Sequence, residues 1–147
     1  MHSSAAVIPL EATYAASTEG LAQALSEFDR LSAANAWSGG LVHSLRLVLE
    51  ELIINLVTHG RQPGGTGCFS VRFTLLHDSI ALLIEDDGLP FDPTVTPSPD
   101  LDTPLDDRQI GGLGLFLARS LSDELHYVRE RGMNRTTAIF RPASHHD

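Results

Sequence analysis

The pattern of apolar and polar positions changes period several times along this chain, and each change marks an element boundary. Ala6 to Tyr14 carry enough apolar character for a first strand, and Pro9 confines that strand to an edge. Ser17 or Thr18 can then cap a helix to about Ala36, with Leu21, Leu25, Phe28 and Leu31 on one face. Trp37, Ser38, Gly39 and Gly40 interrupt it. Leu41 to Arg61 read as one long helix, apolar at all but a few positions and stopped by Gly60. Residues 62–67 are loop, and residues 68–77 and 79–86 read as two strands joined by a tight turn near Asp78. Prolines at 90, 93, 97, 99 and 104 then exclude regular structure from most of a long segment, which reads as a lid (about 92–111) or a disordered stretch. A short apolar helix over 113–121 follows Gly111 and Gly112. Strands at about Glu124–Arg131 and Arg135–Arg141, joined by Gly132, Met133 and Asn134, close the chain before a tail at 143–147 expected to be disordered.

Strand, two helices, two strands, lid, helix and hairpin, in that order, predict an α/β (α+β) two-layer sandwich with a mixed, mostly antiparallel sheet. The 147 residues fit a single domain, 1–147, and 42% hydrophobic residues exclude wholesale disorder. Ten basic against 19 acidic residues, a net charge of -9, argue against nucleic acid as the main partner. Much of the acid is local, between Asp100 and Asp107. The chain shows neither an apolar run of membrane-spanning length nor the charged and apolar regions of a signal peptide. The single Cys68 suits a reducing cytoplasm, and the seven histidines show no metal-site spacing.

Three stretches carry candidate chemistry. Glu51, Asn55 and His59 fall four residues apart and share one face of the long helix, so either other side chains satisfy that polar stripe or a ligand does. Glu50 points about 100° away round the helix. Asp86, at the end of a strand and two residues before Gly88, can accept a hydrogen bond from an exocyclic amine, or can simply make an Asp-Gly turn. Gly111, Gly112, Leu113 and Gly114 open a helix whose backbone N–H groups can face an anion, or form a hinge.

Together, in this order and spacing, these stretches resemble the N, G1 and G2 boxes of the Bergerat-fold (histidine-kinase-like, GHKL) ATPase superfamily. EELIINLVTHG, EDDGLPFDP, GGLGLFLARSLSDELHY and NRTTAIFRP are similar to its small branch of anti-sigma-factor serine kinases, in which Pro90 replaces a second glycine. The resemblance implies the Bergerat fold, with helices on one face of the sheet and an ATP lid. It implies ATP and Mg2+ as cofactors, Glu51 as general base, and Asn55 as Mg2+ ligand. Asp86 would receive the adenine amine, with Gly88 beneath the ring and Thr136 or Thr137 nearby. Gly111, Gly112, Leu113 and Gly114 would give N–H groups to the phosphates, which His59 and Arg108 are placed to approach. The implied function is an ATP-dependent protein serine kinase and anti-sigma factor, cytoplasmic and without membrane or nucleic-acid contact. Its implied partners are a STAS-domain anti-anti-sigma protein whose serine it phosphorylates, a sigma factor, and a second copy in a homodimer. The alternative is a nucleotide-binding regulator acting by contact alone. Histidine kinases and the DNA-topology and mismatch-repair relatives need further domains for which the sequence shows no pattern.

Other residues have plainer readings. Arg46, Arg72, Arg129 and Arg131 are solvated charges, Trp37 a core plug at a helix end, His43 and His77 surface residues, and Cys68 a small hydrophobe within a strand.

Overall fold

The computed structural model describes residues 10–59, 64–95 and 112–145. Most of the expected lid, with Arg108 and Gly111, lies outside the described residues, as do Gly60 and Arg61. Five strands, β1 (Glu11–Ala15), β2 (Cys68–Leu75), β3 (Ile80–Asp86), β4 (Glu124–Glu130) and β5 (Met133–Phe140), form one sheet in the order β1-β2-β3-β5-β4. All four pairings are antiparallel, the limit of the mostly antiparallel sheet expected, and β1 takes the edge that Pro9 implied. Three helices join them: α1 (Thr18–Asn35), α2 (Gly39–His59) and α3 (Gly112–Leu121).

Strand alternation gives the sheet two unlike faces. Val71, Phe73, Leu82, Ile84, Ala138 and Phe140 point to one face, where they share a core with Phe28 of α1 and Leu45, Val48, Leu49 and Ile53 of α2. Arg72, Leu83, Thr137 and Ile139 point to the other face and are not buried. One row on the inner face changes character as it crosses the sheet: Tyr14, Phe69, Asp86, Asn134 and Arg129 stand side by side on β1, β2, β3, β5 and β4.

The helix ends follow local hydrogen bonding. Ser17 caps α1, its hydroxyl accepting from the Gly20 N–H at 3.1 Å, and Ala36 leaves the helix in a left-handed conformation. Ser38 caps α2 in the same way, accepting from Leu41 N–H at 3.2 Å, so Gly39 and Gly40 form its first turn instead of the break expected there. The β4–β5 hairpin is also tighter than its Gly-Met-Asn sequence suggests. Arg131 and Gly132 both adopt positive φ, 55° and 75°, which makes a two-residue turn whose twist suits a hairpin. Met133 and Asn134 are therefore strand residues, paired with Glu130 and Arg129.

Residues 143–145 are placed, where a frayed tail is expected. Pro142–Ser144 form a short 3-10 turn that delivers His145 onto the body of the fold. The His145 ring, 9% exposed, lies 2.9 Å from both the Ser44 hydroxyl of α2 and Asp123 Oδ2 at the α3–β4 junction. Its backbone oxygen accepts from the Ser38 hydroxyl at 2.8 Å. Burial pushes the Asp123 carboxyl up, but the Arg141 N–H and the His145 ring outweigh this and hold it below the ordinary aspartate value. Three side chains distant in sequence thus anchor the tail, and no local pattern announces them. Substituting His145→Ala should lower stability by about 1–3 kcal/mol through lost buried hydrogen bonds, measured by thermal unfolding. Because Asp123 is depressed in the folded state, its contribution is present above the unfolded value and lost as pH falls through the folded one. The deficit of the variant should therefore shrink in strong acid.

Candidate functional site

A cleft open to solvent lies between the C-terminal half of α2 and the ends of β3 and β5. Its apolar walls are Leu52 and Leu56 of α2, Ile84 of β3, and Leu89, Phe91 and Pro93 beyond β3. Its polar groups are few: Asn55 and His59 from α2, Asp86 from β3, and Asn134 and Thr136 from β5. Apolar walls with a small number of placed polar groups are the usual make-up of a small-molecule site.

Asn55 is 4% exposed, and its Nδ2 donates to the Glu51 backbone oxygen at 2.7 Å. Backbone carbonyls only accept, so the amide orientation is settled and Oδ1 is the atom left for the cleft. His59, one turn on, stacks on Phe91 with centroids 5.0 Å apart and planes at 11°, closing the outer end.

Glu51 is one turn before Asn55 and half-buried. Burial, and then the neighbouring Glu50 charge, push its carboxyl above the ordinary glutamate value of 4.5. Its carboxylate lies directly against the backbone of Gly114 in the first turn of α3, so closely that a methyl group at Gly114 would collide with it. The polar helix face and the glycine-led helix, distant in sequence, therefore meet at Glu51 and Gly114. Gly112 and Leu113 are the first two residues of α3, and their backbone is helical.

Asp86 is 8% exposed. Its Oδ2 accepts from the Gly88 N–H at 2.9 Å and from Asn134 Nδ2 at 3.1 Å, while Oδ1 has no partner among the described residues. Both sequence readings of this aspartate hold together: one oxygen makes the Asp-Gly turn and the other is offered to the cleft. Gly88 is buried and contributes through its backbone, its oxygen accepting from Arg129 Nη1 at 2.7 Å. Asp87 has a different task. Its carboxylate accepts from the Thr66 N–H at 2.8 Å and from the Thr66 hydroxyl at 3.2 Å, tying down the loop before β2. Of the two threonines held open, Thr136 lines the cleft and Thr137, one residue on, points to the opposite face of the sheet.

Sequence reasoning missed two residues here. Asn134 was assigned to a turn and Arg129 to solvent, yet both stand in the inner row beside Asp86 and share its hydrogen-bond network. Counting alternation back from the buried Thr136, Ala138 and Phe140 places Asn134 on the inner face, so the signal was present.

The sheet buries one face, a cleft with a buried carboxylate opens at the ends of its interior strands β3 and β5, and a glycine-led helix packs against a glutamate. The family described as histidine kinase-like ATPase domain matches residues 14–140, and the chain belongs to that family. It is 34% identical over 114 residues to the serine/threonine-protein kinase BtrW of Bordetella bronchiseptica, covering 78% of this chain and 80% of that one. It is 33% identical over 97 residues to the serine-protein kinase RsbW of Staphylococcus aureus, covering 63% of this chain and 61% of that one, so less than two thirds of that relative is spanned. The fold is also similar to a crystal structure of the RsbU and RsbW domains of a Mycobacterium tuberculosis protein, with a TM-score of 0.64, 16% identity, and coverage of 91% of this chain and 32% of that one.

The contact between Glu51 and α3 generates a test. Alanine at position 114 should leave thermal stability unchanged or raised by up to about 1 kcal/mol, since it favours a helix over glycine. It should at the same time displace the Glu51 carboxylate and lower catalytic turnover. Unfolding curves and turnover measured on Gly114→Ala would separate the two effects.

Proposed function

We propose that this chain is an ATP-dependent protein serine kinase that phosphorylates a serine of a STAS-domain anti-anti-sigma protein and, in another nucleotide state, sequesters a sigma factor. The observation that carries this reading is the meeting of Glu51 with Gly114 beside the Asn55–Asp86 cleft. A base, a metal-binding oxygen, a base-recognition carboxylate and a helix N-terminus are then available to one bound nucleotide. The kinase names of BtrW and RsbW, at 34% and 33% identity, support the choice of a serine acceptor.

Each group has a definable task. Asp86 Oδ1 accepts from the adenine amine, and Leu52, Leu56, Ile84 and Leu89 bound the ring. The first residues of α3, Gly112, Leu113 and Gly114, present backbone N–H groups and the positive end of a helix dipole to the phosphates. Arg108 and Gly111, outside the described residues, are proposed to join them. Asn55 Oδ1 is an oxygen donor of the kind magnesium takes, and fits an ion otherwise held by phosphates and water. When bound, magnesium neutralises charge on the phosphates. Glu51 accepts the proton of the incoming serine hydroxyl as its oxygen forms the bond to the γ-phosphorus and the bond from phosphorus to ADP breaks. A carboxylate with a raised pKa is the better base near neutrality. His59, stacked on Phe91, would approach the phosphates.

Two variants test these roles. Glu51→Gln should retain MgATP binding while phosphoserine formation on the STAS partner falls by about 10²–10⁴-fold, followed by mass spectrometry. Retained transfer at the wild-type rate would remove Glu51 as base. Asp86→Asn should weaken ATP at least about tenfold, by calorimetry, since the replacement can turn a donor towards the adenine amine. The rate should also depend on pH in a set direction. The base works ionised, so activity should fall as pH drops through the Glu51 value, with an acid limb above 4.5.

A further inference from the structure

The adenine reading leaves the buried side chain of Asn134 without a task. Asn134 is 4% exposed and all four of its amide hydrogen-bonding positions are used. Oδ1 accepts from the Tyr127 hydroxyl at 2.5 Å and from Arg129 Nη1 at 3.1 Å, and Nδ2 donates to Asp86 Oδ2 at 3.1 Å and to Leu89 O at 2.9 Å. The orientation of the amide follows from chemistry. An arginine nitrogen can only donate, so the atom facing Arg129 is the oxygen, and the nitrogen faces the carboxylate. Arg129 is itself held by the Gly88 oxygen at 2.7 Å. The group cannot turn without breaking several buried bonds.

We propose that Asn134 is a positioning residue that makes Asp86 selective for a 6-aminopurine over a 6-oxopurine, by keeping one of its two carboxylate oxygens occupied. This rests on the reading that Asp86 receives the base of the nucleotide. A carboxylate with both oxygens available is a good partner for guanine, whose N1–H and N2 amine lie side by side and bind it in a bidentate pair. Adenine offers one exocyclic amine beside an acceptor nitrogen and needs only one carboxylate oxygen. Here the Gly88 N–H and Asn134 Nδ2 both point at Oδ2, and Oδ1 alone is offered. Guanine would bring its O6 acceptor towards the free oxygen, with no second oxygen to take its two donors. The aspartate supplies the negative charge, and Asn134 supplies the restriction that lets the charge discriminate.

Calorimetric titration of the full chain with three triphosphates tests this: ATP, GTP, and purine riboside triphosphate, which lacks the 6-amino group. Wild type should favour ATP over GTP by roughly a hundredfold or more. In Asn134→Ala, ATP affinity should fall about tenfold and the ATP-to-GTP ratio should narrow, while affinity for purine riboside triphosphate stays within about twofold. Loss of packing alone would weaken all three nucleotides equally, and that result overturns the proposal, as does an unchanged ratio. If Asn134→Ala does not fold, Tyr127→Phe decides by the same ratio, because it removes only one hydrogen bond to the amide and keeps the ring. It should narrow the ratio in the same direction, and an unchanged ratio there also overturns the proposal. Failure of the wild type to bind either ATP or purine riboside triphosphate would overturn the adenine reading of Asp86 and this inference with it, a result distinct from binding without discrimination.

Discussion

A carboxylate buried in an apolar sheet face is costly unless donors meet it, and the answer to that cost organises this molecule. Asp86 stands in the inner row beside Phe69, with the hydrophobic core a few residues further along the same strand. Its two donors come from the backbone after β3 and from β5, and the asparagine that supplies one is held by Tyr127 and Arg129 of β4. Three strands and a loop therefore have to be in register before that carboxylate can be tolerated. Two of those strands, β3 and β5, also line the cleft. Stabilising the charge and shaping the pocket are one structural event.

Helix α2 places the opposite wall. Its apolar residues bury it across α1 and the sheet, which leaves little freedom to rotate or slide, and its polar residues inherit that rigidity. Asn55 and Glu51 sit on adjacent turns and so differ in what they meet. Asn55 looks into the cleft that Asp86 also lines, whereas Glu51 reaches the first turn of α3. Burial that raises the Glu51 proton affinity comes from the same packing that fixes its position. Reactivity and geometry in this carboxylate have a common origin in the helix–helix contact.

Much of this was legible in the residues themselves. Hydrophobic period identified the three helices and five strands of the described residues, and the four-residue spacing selected Glu51 over Glu50 and linked it to Asn55. The aspartate two residues before a glycine separated Asp86 from Asp87, and the Asp87–Thr66 bonds show what the second carboxylate does instead. What escaped depended on contacts between distant segments. Asn134 looks like a turn former because asparagine and glycine usually share turns, but Arg131 accepts the left-handed conformation and shortens the hairpin. Arg129 carries a charge that composition assigns to solvent, and only its cross-strand neighbour reveals the network it serves. His145 sits within three residues of the chain's last position, where fraying is the default, and its anchors Ser44 and Asp123 are 101 and 22 residues away.

The two-residue turn at Arg131–Gly132 has a consequence for how this chain can vary. Side chains on a strand alternate faces, so one residue gained or lost in that turn would move β5 out of step with β4 and break the pairing of Asn134 with Arg129. If the slip passed into the β3–β5 pairing, Met133 or Arg135 would stand where the amide now meets Asp86. A surface hairpin is ordinarily where insertions are absorbed most easily. In this protein its length decides which β5 side chain meets Asp86 in the cleft wall.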